Sequence, residues 1–263
     1  MNLLKVAALP LDIVWADIED NIYAVGRALK KLDKDTDIVV LPELFSTGFI
    51  STTDLLHKFA EPAADSPTLK KIKEWAHQYN FAISGSLLVN QDNEIYNRGF
   101  FIEPSGEATF YDKVHLFNLS SEKKNFTRGK EQIPVVRYRG WNISLAVCYE
   151  LRFPAWLRNV KNKYDLLIIP ANWPASRAYA WQHLLIARAI ENQAYVVGAN
   201  RSGADDTGRY DFQSFIYNYK GKLISDNPDS PTKVISAVLD RNKLEEYRKV
   251  FPVAEDADMF KFI

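Results

Sequence analysis

Asp37-Ile38-Val39-Val40-Leu41-Pro42-Glu43 sets four consecutive apolar residues between an aspartate and a proline, and a carboxylate follows at once. A run this short and β-branched is the pattern of a strand buried on both faces, as in the sheets of layered α/β proteins. Proline ends it because it has no N–H to give the ladder. Working outward, residues 3–9 predict another strand. Residues 17–32 predict a helix, with Ile18, Ile22, Val25, Leu29 and Leu32 recurring three or four apart. Beyond the run, Ser66-Pro67 reads as the capped start of a second helix reaching about residue 79.

Strands are then expected at 81–89, 97–102, 108–111, 135–138, 142–147, 164–170, 195–199, 212–217 and 234–239. Helices are expected at 154–160, 177–192 and 241–249, with Trp181, Leu184, Leu185 and Ile190 facing inward on the long one. Residues 115–130 lack any periodicity and read as a functional loop. The alternation predicts an α/β fold, and 263 residues without a linker-like stretch predict one domain over 1–263.

Composition narrows the function classes. With 33 basic against 33 acidic residues, no broad field is available to capture nucleic acid or an anionic membrane. No apolar run approaches the roughly 18 residues a membrane span needs. The single cysteine, Cys148, has no partner for an internal disulfide, which fits a reducing cytoplasm. Four scattered histidines, His57, His77, His115 and His183, show no metal-ligand spacing, so neither a metal nor another cofactor is expected.

Three reactive side chains stand just past apolar strands: Glu43, Lys113 and Cys148. Carboxyl ends of strands are where a rigid sheet fixes positions and loops leave room for a ligand. Each residue also has a plain structural reading: Cys148 as a small buried hydrophobe, Glu43 as a loop carboxylate, Lys113 as a solvated charge.

The order of segments decides between these readings. Leu41-Pro42-Glu43-Leu44-Phe45, Tyr111-Asp112-Lys113-Val114-His115-Leu116 and Val147-Cys148-Tyr149-Glu150-Leu151-Arg152-Phe153-Pro154 resemble the three signature segments of the nitrilase, or carbon–nitrogen hydrolase, superfamily. Asn172-Trp173-Pro174, Trp181-Gln182 with Leu184-Leu185, and Ala187-Arg188-Ala189-Ile190-Glu191-Asn192-Gln193 are similar to its omega-amidase branch. Together these segments span nearly the whole chain. One region departs from the pattern: Asp211-Phe212-Gln213-Ser214 and Asn218-Tyr219-Lys220-Gly221 stand where relatives commonly carry a glycine before the serine and a Pro-x-Gly turn.

The resemblance implies a four-layer α-β-β-α sandwich, a homodimer, and a catalytic set of Glu43, Lys113 and Cys148 with Glu122 as second glutamate. Glu131, past Gly129, is the alternative to Glu122. The oxyanion would face the Lys113 ammonium and the backbone N–H of Tyr149. For the omega-amidase branch, the expected reaction cleaves the terminal amide of small omega-amido dicarboxylates, of the 2-oxoglutaramate or 2-oxosuccinamate type, through a cysteine thioester. An N-carbamoyl amino acid hydrolase and a non-catalytic binding protein on the same fold are the alternatives.

Such a substrate carries a free carboxylate, for which a guanidinium is the natural partner. Arg177 is the expected one. Arg152 reads instead as a structural partner of a nearby carboxylate. Trp173, Phe45 and Phe117 are expected as apolar walls, and Asn172 as a residue that orders the pocket.

Overall fold

The computed structural model describes residues 2–206, 208–210, 214–226 and 234–258. In chain order the first half forms β1 (Leu3–Ala8), α1 (Ile18–Leu29), β2 (Ile38–Val40), α2 (Thr53–Phe59), β3 (Glu61–Pro62), α3 (Pro67–Tyr79), β4 (Ala82–Gln91), β5 (Glu94–Ile102) and β6 (Ala108–Asp112). After these come α4 (Glu122–Asn125), β7 (Val135–Tyr138), β8 (Trp141–Leu145), β9 (Leu166–Ala171), α5 (Ala178–Glu191) and β10 (Tyr195–Asn200). The chain closes with β11 (Gly203–Asp205), β12 (Gly208–Tyr210), β13 (Phe215–Tyr217), β14 (Ile235–Asp240) and α6 (Arg241–Val250).

One large sheet has the order β14-β1-β2-β4-β5-β6, with β3 added beside β4; the second has the order β13-β10-β9-β8-β7, and β11 and β12 pair as a separate two-stranded sheet. Strands β1, β2 and β4 run parallel, and so do β8, β9 and β10. The side-chain period of two makes each large sheet bury both faces. From β1 and β2, Leu4, Val6, Ala8, Ile38 and Val40 point into a core shared with Trp141, Ile143 and Leu145 of the second sheet. Val39 and Leu41 point the other way, against Val25 and Leu29 of α1 and Leu69 and Ile72 of α3. On the far side α5 lays Trp181, Leu185 and Ala189 on the second sheet. The result is an α-β-β-α sandwich, with each buried aliphatic side chain worth about 1.5–3 kcal/mol.

Helix ends follow local chemistry. Asp17 accepts from Asp20 N to cap α1, and Ser66 accepts from Leu69 N to cap α3, with Pro67 at its first position. Gly99 on β5 lies where the sheets approach closely beneath the strand that leads to Cys148: an added Cβ would meet Leu145 at 3.1 Å and Val147 at 3.3 Å.

Several sequence expectations need correction. Residues 154–160 form no α-helix; short 3-10 segments at Cys148–Arg152 and Val160–Asn162 flank irregular turns. There the Asn159 side chain takes the Tyr164 N–H and gives its own N–H to Tyr164 O, replacing helical bonds. Ile190 is exposed, because nine residues beyond Trp181 is two and a half turns, which is the opposite side of α5. The 115–130 stretch contains α4, and α2, β3, β11 and β12 carry too short a pattern to be read. Of the strand expected at 212–217, Phe215–Tyr217 is seen and residues 212–213 lie outside the described residues. Among the described residues, no helix is long and apolar enough to cross a membrane.

Candidate active site

The carboxyl ends of four strands converge where the two sheets meet. Glu43 follows β2 by three residues, Lys113 follows β6 directly, Cys148 follows β8 by three residues and Asn172 follows β9 directly. The sheets are stitched at this point: Glu43 N donates to Ala171 O at 3.4 Å, and Asn172 Nδ2 donates to Glu43 O at 3.0 Å.

Lys113 is the hub. Its Nζ lies 2.9 Å from Glu43 Oε1, and 2.9 and 3.1 Å from the two oxygens of Glu122. All three side chains are buried. Two carboxylates against one ammonium leave a surplus negative charge, which a low-dielectric site tolerates only when donors surround it. Asn97 Nδ2 donates to Glu43 Oε1 at 2.7 Å, Asn172 N to Glu43 Oε2 at 2.9 Å, and Phe117 N to Glu122 Oε2 at 2.6 Å. Burial by itself would lower the Lys113 pKa, but the facing Glu122 and Glu43 charges outweigh it and hold the ammonium well above the ordinary lysine range.

Cys148 sits on a turn with φ of 45°, a left-handed conformation that costs a non-glycine residue on the order of 1–3 kcal/mol. That turn presents the thiol beside Glu43, with which it lines the same cavity. Burial, and after it the Glu43 charge, push the thiol well above its ordinary range, so the resting sulfur is protonated. The arrangement can therefore pass a proton from sulfur to Glu43 when a carbonyl arrives, with the Lys113 cation already in place.

A cavity of about 290 Å³ opens over these groups. Phe117, Tyr149, Arg152, Asn172, Trp173 and Arg177, all singled out in the sequence, line it, and so do Leu119 and Tyr210. Arg152 lies 4.8 Å over the Trp173 ring and Arg177 lies 5.2 Å over the Phe117 ring. Among the described residues neither guanidinium has an ion-pair partner, which corrects the expected carboxylate for Arg152.

Phe45, expected as a wall, is instead a core residue against Phe100. Its backbone N–H bonds Ser86 O in a segment that points the side chain toward the outer helices. Glu131 is exposed, while Glu122 occupies the cluster. Gly129 explains the separation: it packs so tightly on the Asp112 carbonyl that a Cβ would sit 1.9 Å away, and the chain leaves the site from there.

Sequence reasoning missed Asn97, Asn200 and Glu150. Asn97 is a polar residue in the middle of an apolar strand, a signal in its own right because buried polar groups need partners. Asn200 locks the pocket wall by exchanging bonds of 2.8 and 2.7 Å with the Trp173 backbone.

Residues 5–249 match the carbon–nitrogen hydrolase family, and the chain belongs to it. It is 40% identical over 263 residues to omega-amidase YafV of Escherichia coli strain K12, covering 98% of each chain. Against 2-oxoglutaramate amidase of Bacillus subtilis strain 168 it is 30% identical over 254 residues, covering 95% of this chain and 96% of the other. The crystal structure of a CN-hydrolase superfamily protein from Xanthomonas campestris, with an arsenic adduct in its active site, matches with a TM-score of 0.93, 32% identity and full coverage of both chains.

Proposed function

We propose that the chain is an omega-amidase that hydrolyses the terminal amide of small omega-amido dicarboxylates, of the 2-oxoglutaramate and 2-oxosuccinamate type, to acid and ammonia. The observation that carries the reading is the pocket itself: a protonated thiol beside Glu43 and Lys113, under a wall that offers the guanidinium groups of Arg152 and Arg177. A distal carboxylate desolvated in that space needs such a cation. The similarity to named omega-amidase and 2-oxoglutaramate amidase relatives over nearly the full chain supports the same assignment.

In this reading Glu43 accepts the thiol proton as sulfur bonds to the amide carbon. The oxyanion that forms faces the Lys113 ammonium and the backbone N–H of Tyr149, preorganised donors worth several kcal/mol. Glu122 holds Lys113 in position from the other side. Collapse breaks the C–N bond, Glu43 returns the proton to the departing nitrogen, and ammonia leaves a thioester on Cys148. Water then attacks the thioester, Glu43 takes its proton, and the thiol re-forms as the acid departs. Phe117 and Trp173 wall the chain of the substrate, and Asn172 orders the Glu43 side of the pocket.

The reading also takes the protein as a cytoplasmic homodimer. An outward pair on α5, Tyr179 and Ile190, supports an interface, since eleven residues return to the same helix face. Light scattering coupled to gel filtration gives twice the chain mass if this holds.

Ammonia release across a substrate panel tests the activity. 2-Oxoglutaramate turns over with the highest kcat/KM, ahead of N-carbamoyl amino acids and of propionamide, which lacks a carboxylate. Equal kcat/KM for propionamide and 2-oxoglutaramate removes the omega-amidase reading.

A further inference from the structure

Glu150, two residues past the thiol, is wholly buried yet has no lysine or arginine beside it among the described residues. Its charge is held by hydrogen-bond donors. Oε1 accepts from the Tyr111 hydroxyl at 2.5 Å, from Val114 N at 2.9 Å and from His115 N at 3.2 Å. Oε2 accepts from Val147 N at 2.8 Å. The carboxylate thus joins the residue before Cys148 to the two residues after Lys113. His115 Nδ1 is further off at 3.6 Å, and its ring stacks on Phe153.

The bonds meet the two places where position matters most. Cys148 is in a left-handed conformation that its own backbone disfavours, so the turn keeps that shape only if its neighbours are fixed. Val147 N is the donor nearest the strained residue on its amino side. On the carboxyl side, Arg188 of α5 closes on Leu151 O with bonds of 3.1 and 2.7 Å. Lys113, for its part, is followed immediately by the two backbone N–H groups that Glu150 takes.

We propose that Glu150 is a positioning residue that sets the thiol of Cys148 against Lys113 by clamping their two segments together. The inference deepens the reading of Cys148 as the nucleophile and rests on it. Glu150 touches no substrate. Its effect falls on the alignment of attack, which is a kcat effect, and leaves the wall of Arg152 and Arg177 as it is.

Glu150→Gln isolates the clamp. A glutamine keeps the three donors at Oε1 satisfied by turning its carbonyl to them, which leaves its NH2 facing Val147 N–H, two donors with no acceptor. The expected result is a fall in kcat of about 10²-fold, the scale of a misplacement near 1 Å. KM for 2-oxoglutaramate stays within about twofold, and every folded molecule still takes one iodoacetamide equivalent at Cys148. A purely structural role predicts the reverse: a lowered unfolding midpoint with unchanged kcat per alkylatable site, and that result overturns the proposal.

Where Glu150→Gln does not fold, Glu150→Asp decides. It keeps the charge but is one methylene too short to span both segments, so the same loss in kcat is expected, and wild-type kcat refutes the clamp. A wild-type protein inert on the whole amide panel overturns the reading beneath it instead, so the two failures are distinguishable.

Discussion

The floor of the pocket and its rim are built on opposite principles. On the floor, Glu43, Lys113 and Glu122 are buried, stand at strand ends or in a short helix anchored to them, and use their charges on one another and on backbone donors. At the rim, Arg152 and Arg177 lie against aromatic faces, and Arg177 is exposed. A charge that is fully paired cannot rearrange cheaply, which suits a step that needs the same geometry every turnover. A charge resting on a ring keeps its hydrogen-bonding fork available for an incoming anion.

The sharpest way to break the comparison is at the floor. Cys148→Ala removes the proposed nucleophile and lowers ammonia release by on the order of 10⁴-fold or more, with the unfolding midpoint by circular dichroism little changed. Substantial turnover in that variant would falsify the thioester route.

Next in size is Glu43→Gln, which removes the proposed proton acceptor and costs about 10²–10⁴-fold in kcat. The same change has a second, opposite signature. A neighbouring negative charge disfavours a thiolate, and the Glu43 charge helps raise the Cys148 pKa, so its removal lowers it. Thiolate absorbance near 240 nm then appears at lower pH than in the wild type even as catalysis is lost. A thiolate that appears at higher pH contradicts the charge assignment.

Rim substitutions act on recognition. Arg177→Ala raises KM for 2-oxoglutaramate by about 10–100-fold, the loss of one charge-assisted contact, and leaves propionamide kinetics near wild type. Arg152→Ala gives the same split if it shares the carboxylate, whereas equal effects on both substrates assign it to packing on Trp173. The smallest effect belongs to Arg177→Lys: the charge remains and the planar fork is lost, so KM rises by only a few-fold. A KM as high as that of Arg177→Ala would make geometry, not charge, the decisive property.

Much of the floor is legible in the sequence, because it is attached to the most regular part of the chain. Buried strands announce themselves as apolar runs, and Glu43, Lys113 and Cys148 are the polar residues at their ends. The long helix α5 is equally clear, although one outward isoleucine is easily counted with the inner face. Less was readable between the elements. Residues 154–160 have helical spacing, but Asn159 satisfies the backbone with its own side chain. Phe45 and Phe117 look alike in sequence, and only the path of the chain sends one to the core and the other to the cavity.

By itself the sequence determined the layered α/β architecture, the segments that carry Glu43, Lys113 and Cys148 and the family to which they belong, since hydrophobic periodicity and residue order are local properties. Tertiary structure alone decided which charges pair. Glu122 and Glu131 lie nine residues apart in the same stretch, yet one meets Lys113 and the other faces solvent. Asn97 and Glu150 become supports of the site only because strands distant in sequence end at one point in space. Hydrogen bonds and ion pairs act over about 3 Å, and distances on that scale are set by packing, not by order along the chain.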